Sequence, residues 1–164
     1  PRMSLYINNN DMDSFKTLTN KTVSIITLLS IPITVGLFLL AKPITLLFSG
    51  NEYIPAIIPM QVMTPIVFII SISSITGPRI LAAMYKEKIT LYSYILGAIT
   101  NIICNAVFIP LYGALGAAIG TLIAELIVTG IQVIYLHQYI FSKDNFISLI
   151  HLIYRKLLLV LLFY

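Results

Sequence analysis

Long apolar runs, rather than short alternations of apolar and polar residues, organise this chain. Four of them stand out: Val23–Ala41, Ala56–Gly77, Ile89–Ile109 and Ala114–Leu136. The hydrocarbon core of a bilayer is about 30 Å thick and a helix rises about 1.5 Å per residue, so roughly 20 apolar residues suffice to cross it. Each run meets that length, which predicts an all-α, polytopic transmembrane bundle. The polar positions collect between the runs. Pro1–Lys21 is polar, with a turn signal at Asn8–Asp11 and a short surface helix expected from Asp13 to Lys21. Lys42–Ser49 predicts a short interfacial helix closed by Gly50. Pro32 predicts a kink in the first span, and Pro55, Pro59 and Pro65 predict a bent or broken start to the second. Tyr85–Lys88 reads as a tight loop, and Pro110–Gly113 as a turn that makes the third and fourth spans a hairpin.

The resulting division is 1–22, a cytoplasmic loop; 23–137, a four-span bundle; 138–156, a second cytoplasmic loop with an interfacial helix; and 157–164, the start of a fifth span. The chain opens at Pro1 without an initiator Met and stops inside an apolar run, so a segment of a larger polytopic protein is expected.

Charge turns this pattern into a topology. Of ten Lys and Arg, nine fall on one side: Arg2, Lys16, Lys21, Arg79, Lys86, Lys88, Lys143, Arg155 and Lys156. Only Lys42 lies opposite. Basic residues in short loops stay cytoplasmic, which predicts a multi-pass protein of a cell membrane with the start of this segment inside. Composition agrees: 59% hydrophobic, 10% charged, mean hydropathy +0.97. That leaves too little polar surface to cover a water-facing globule. The net charge of +4 is explained by helix-end anchoring and anionic headgroups, with no nucleic-acid partner implied.

Polar residues inside the spans are the candidate chemistry, because an intramembrane polar group is costly and usually faces the bundle interior or a wet cavity. Glu125 is the one acidic residue well inside a span. At the helical pitch Thr121, Glu125 and Gln132 fall within about 40° of one another, while Gly116, Gly120, Ala117 and Ala124 form a small-residue face suited to close packing. In the third span Thr90, Tyr94, Asn101 and Asn105 share a stripe about 60° wide. Two paired spans, each with a polar stripe, are what a water-lined path between helices needs; interhelical hydrogen bonding is the plainer account of the same residues. Glu125, Thr121, Gln132, Asn101, Asn105 and Tyr94 are therefore candidate path residues, and Arg2 and Arg79 are candidate cations at the cytoplasmic mouth. No nucleophile–base set, metal-ligand spacing or phosphate loop occurs, so no enzyme activity, metal or cofactor is expected. The single Cys104 allows no internal disulfide.

Several stretches in order carry a family resemblance: Pro1-Arg2; Leu29–Leu37 with its Pro-x-x-x-Gly pattern; Ile44–Tyr53 followed by Pro55-Ala56; and Ile109–Ala118 with its Pro-Leu-Tyr-Gly-Ala turn. Together they resemble the C-terminal lobe of Wzx-type polysaccharide flippases, in the multidrug/oligosaccharidyl-lipid/polysaccharide exporter superfamily. The resemblance implies a MATE-like lobe, part of a two-lobed bacterial transporter that rocks around a central cavity. It implies a lipid-diphosphate-linked oligosaccharide as substrate, moved from the cytoplasmic to the outer leaflet. It also brings membrane lipids, a coupling cation (Na+ or H+) and other polysaccharide-assembly proteins into consideration as partners. In that family cavity cations meet the diphosphate, whereas here no Lys or Arg lies within a span. A cation-coupled multidrug exporter of the same superfamily is the alternative, with Glu125 as its coupling group. A membrane polymerase or glycosyltransferase subunit is a third reading, disfavoured by the short external loops.

Overall fold

A computed structural model describes residues 2–140, and the expected loop and helix of 138–156 and the fifth-span start at 157–164 lie, but for 138–140, outside it. The elements are α1 (Arg2–Asn8), α2 (Met12–Ser49), a 3-10 turn (Asn51–Ala56), α3 (Ile57–Met63), α4 (Pro65–Ile75), a π-turn (Thr76–Leu81), α5 (Glu87–Tyr112) and α6 (Ala114–Ile140). No strand occurs among the described residues. Four helical stretches are long and apolar enough to cross a membrane: Met12–Ser49, Asn51–Leu81, Glu87–Tyr112 and Ala114–His137.

The first span is longer than its apolar run. The surface helix, span and interfacial helix expected from the sequence are one unbroken helix, α2. Its start is fixed by Asp11, whose side chain accepts the Ser14 N–H at 3.0 Å. Its end is fixed by Gly50, whose N–H returns to the Leu46 carbonyl at 3.1 Å. Pro32 and Pro43 sit inside it. Each removes one helix donor, yet apolar surroundings offer backbone groups no better partner than the helix itself. Gln61 ties the second span to the first, donating from Nε2 to the Phe38 carbonyl at 3.3 Å.

The second span has the broken start that its prolines predict. A 3-10 turn leads into α3, and Pro65 opens α4 as a fresh helix start. Its far end differs from expectation. Pro78 has no N–H to give the Ser74 carbonyl, but the helix widens instead of stopping at Gly77. The N–H of Ala82 reaches back five residues to the Gly77 carbonyl, and helical winding continues through Leu81.

α5 runs through Pro110 to Tyr112, and a single residue, Gly113, separates it from α6. Gly113 has φ 56, left-handed backbone that suits glycine, and its N–H closes on the Ile109 carbonyl at 2.8 Å. The hairpin is tight because small residues meet. A Cβ on Gly116 would run into the Phe108 carbonyl, and one on Gly97 into the Val128 side chain.

The spans form a row: the first packs on the second, the second on the fourth, and the fourth on the third. The apolar core lies at the basic end, where Phe15, Val23, Ile75, Ile80, Leu81 and Leu136 cluster. At the same end Tyr85 Oη donates to Asn8 Oδ1 at 3.4 Å, joining the loop after the second span to α1. Lys16, Arg79 and Lys86 therefore share one end of the bundle, as the alternation of charges predicts. Much of α5 is left bare, including Leu91, Ile95, Ile99, Ile102 and Ile103. Such a surface is at home in hydrocarbon.

Candidate transport-path site

The predicted polar stripes come together in part. Tyr94, Ala98 and Asn101 of α5 face Thr121, Ala124, Glu125 and Val128 of α6 across a groove of about 340 Å³. Asn101 Nδ2 donates to Thr121 Oγ1 at 3.4 Å, and Asn105 Nδ2 donates to Asn101 Oδ1 at 3.0 Å. The Thr121 hydroxyl itself donates to the Ala117 carbonyl at 2.9 Å. Asn105 Oδ1 is buried and accepts nothing among the described residues. Gly120 leaves room for it, since a Cβ there would lie 2.6 Å from that oxygen. Tyr94 is 46% exposed and Glu125 half-buried.

Gln132 is elsewhere. It is fully buried, at the heart of a separate knot that joins three spans. Its Oε1 accepts from Thr76 Oγ1 at 2.7 Å and Ser73 Oγ at 3.3 Å, both on the second span. Its Nε2 donates to Ser93 Oγ of α5 at 2.9 Å. In this conformation its amide faces helix partners rather than the groove. Ser73, Thr76 and Ser93 are hydrogen-bond partners that the stripe reading missed. Helical Ser and Thr so often bond their own backbone that they carry little signal in a sequence. The usable clue was Ser93, three residues from Thr90 and hence beside the α5 stripe.

The cationic candidates mark a third place. Arg79 is exposed and lines a cleft of about 680 Å³ with Met3, Ser4, Leu18, Pro78, Ala82 and Ala83, at the basic end. Arg2 opens α1 nearby, and its side chain lies outside what the structure describes. Among the described residues, no three of His, Cys, Asp and Glu come together as a metal site would require.

Comparison with known proteins decides the family. The family model of the lipid II flippase MurJ matches residues 1–164. The chain belongs to that family. A putative O-antigen transporter of Shigella dysenteriae is 34% identical over 96 residues, 58% of this chain and 24% of that protein. A probable lipid II flippase MurJ of Vibrio cholerae serotype O1 is 29% identical over 114 residues, 66% of this chain and 22% of that protein. The chain thus matches about a quarter of the length of these relatives. No solved structure matches. MurJ and the O-antigen transporter both sit among the flippases of the superfamily that the motif order resembles, so that resemblance holds. This is a family of membrane transporters, not of enzymes, and the chain is a multi-pass membrane protein.

Proposed function

We propose that this chain supplies four spans of a flippase that carries a lipid-diphosphate-linked oligosaccharide from the cytoplasmic to the outer leaflet by alternating access. The observation that carries the reading is the match of the lipid II flippase family over the whole chain. The open groove of Tyr94, Asn101, Thr121 and Glu125 supports it, since polar lining on half of a rocking bundle is what such a path needs. Asn105 backs the groove through Asn101. The basic end is cytoplasmic by the distribution of Lys and Arg, which puts Arg79 and Arg2 at the entrance, where a diphosphate arrives. A coupling cation, Na+ or H+, drives the cycle, and Glu125 is the acidic group placed to respond to it. Membrane lipids surround the spans, and other polysaccharide-assembly proteins hand over the substrate.

The test is reconstitution of the intact protein with a fluorescent polyprenyl-diphosphate disaccharide. Protein-dependent movement of the label to the opposite leaflet is expected, and Glu125→Ala should slow it about tenfold or more, the scale of one lost charged contact. Gradient-driven export of a cationic dye with no movement of the lipid would replace this reading by the drug-exporter one. A reporter fused before Pro1 that responds only outside the cell would reverse the orientation.

A further inference from the structure

The second span changes its winding at one place, and a single side chain ties that place to the fourth span. Thr76–Leu81 forms the π-turn. Such a turn holds one residue more than α-helical winding, so it re-aims whatever it carries. It carries Arg79, and Ala82 follows directly; both line the basic-end cleft.

The Thr76 hydroxyl has one proton and three acceptors within reach. Gln132 Oε1 lies at 2.7 Å, while the Ile72 and Ser73 carbonyls of its own helix lie at 3.2 Å. The first choice ties the start of the π-turn to α6. The other two return the hydroxyl to ordinary helical back-bonding. The Gln132 amide cannot simply turn away, because Ser93 holds its Nε2 and spends its own proton on the Thr90 carbonyl at 2.7 Å. Gly77, second in the turn, completes the fit. A Cβ there would sit 2.9 Å from Gln132 Nε2 and 3.0 Å from its Oε1, so only hydrogen fits between turn and amide.

We propose that Gln132 is a positioning residue: by bridging the second, third and fourth spans it fastens the π-turn of Thr76–Leu81, which Pro78 opens, to α6, and so sets where Arg79 is presented to the basic-end cleft. The relevance to transport rests on the reading of Arg79 as an entrance cation; the winding itself does not depend on what is carried. The joint has two states built in. When α6 draws away from α4, Thr76 keeps only its own carbonyls and the π-turn is freed from α6, which moves Arg79 and Ala82 out of the cleft.

The experiment uses the intact protein in membrane vesicles, with Cys104→Ser, a cysteine at Ala82 as reporter and one at Asn51 as a control at the other end. The readout is the rate of reaction with a hydrophilic maleimide. Gln132→Leu should slow reaction at position 82 about tenfold and Thr76→Val about threefold, the effect of losing all three ties of the amide or only the one to Thr76 on a two-state balance. Position 51 should be unaffected. Both variants leave Ser93 a backbone acceptor, and Thr76→Val conserves shape, so it answers the question even if Gln132→Leu does not accumulate. Unchanged rates at position 82, or rates at 51 that move in step, would overturn the proposal. A shift at 82 in a protein that moves no lipid would discard the flippase reading alone, whereas normal flipping with unshifted labelling would discard this proposal alone.

Discussion

The α5–α6 hairpin carries two polar regions of nearly the same composition, and they have opposite characters. Around Gln132 the amide and the hydroxyls of Ser73, Thr76 and Ser93 are sealed and paired, with donors and acceptors drawn from three spans. Around Glu125 similar groups line an open groove, and the carboxylate meets no cation among the described residues. The difference is a third helix. The second span closes over Gln132 through Ser73, Thr76 and Gly77, and no described element closes over Glu125. A polar stripe on a membrane helix therefore says that something polar faces it. Whether that partner is another helix or a passing substrate depends on the neighbour.

Substitutions can break this contrast or sharpen it. The largest effect is expected where both regions share a support. Gly116→Val drives a side chain into the backbone at Phe108, and should cost about 3 kcal/mol or more by overpacking, read as loss of folded protein in thermal melts. It should abolish knot and groove together. Next, Gln132→Ala should cost about 1–3 kcal/mol, because it empties a buried site and strips partners from three hydroxyls. Glu125→Ala should change the same melts by no more than about 0.5 kcal/mol, as for a site without buried partners, while slowing lipid movement. Equal destabilisation by the two would erase the distinction drawn here. Cysteines offer a finer probe. In place of Thr121, Glu125 or Asn101 they should react with a small hydrophilic thiol reagent at least about tenfold faster than in place of Ser93 or Gln132, following local opening costs. Silence at all three groove positions, with reactive loop controls, would close the groove.

The smallest effect lies outside both regions and serves as their control. The Ser14 hydroxyl, and then its N–H, hold the Asp11 carboxyl below the usual value of 3.8. A carboxyl depressed in the folded state adds stability above its unfolded value, and that stability is lost as pH falls through the folded value. Acid melts below about pH 4 should show this loss, and Asp11→Asn, which keeps the cap but cannot ionise, should not.

Much of this was legible in the residues, and the illegible part has a physical cause. Four crossings follow from run length, the tight hairpin from Pro110–Gly113 although the helix continues to Tyr112, and the shared faces of Thr121 with Glu125 and of Asn101 with Asn105 from pitch. Gln132 shares that pitch, yet its fate was set by Ser73 and Thr76, about 60 residues away, and no periodicity within one helix reports on such a partner. The unbroken α2 was hidden for another reason. Polar residues before Val23 and after Ala41 look like helix ends in water, but Asp11 and Gly50 are the caps that terminate it. Gly77-Pro78 reads as a stop, whereas a missing donor in lipid is more cheaply met by widening the helix than by ending it.

The one-residue link at Gly113 also bears on how the protein is made. With no slack between them, α5 and α6 cannot settle in the bilayer at separate times; the second must turn back as soon as the first has crossed. An acidic residue at a helix centre disfavours entry by about 2.5–3.5 kcal/mol, a cost that α6 carries at Glu125. Asn101 and Thr121 can pair only when the hairpin is already closed. The biosynthetic unit is then the pair, delivered to the membrane as one piece, with Glu125 carried across inside it.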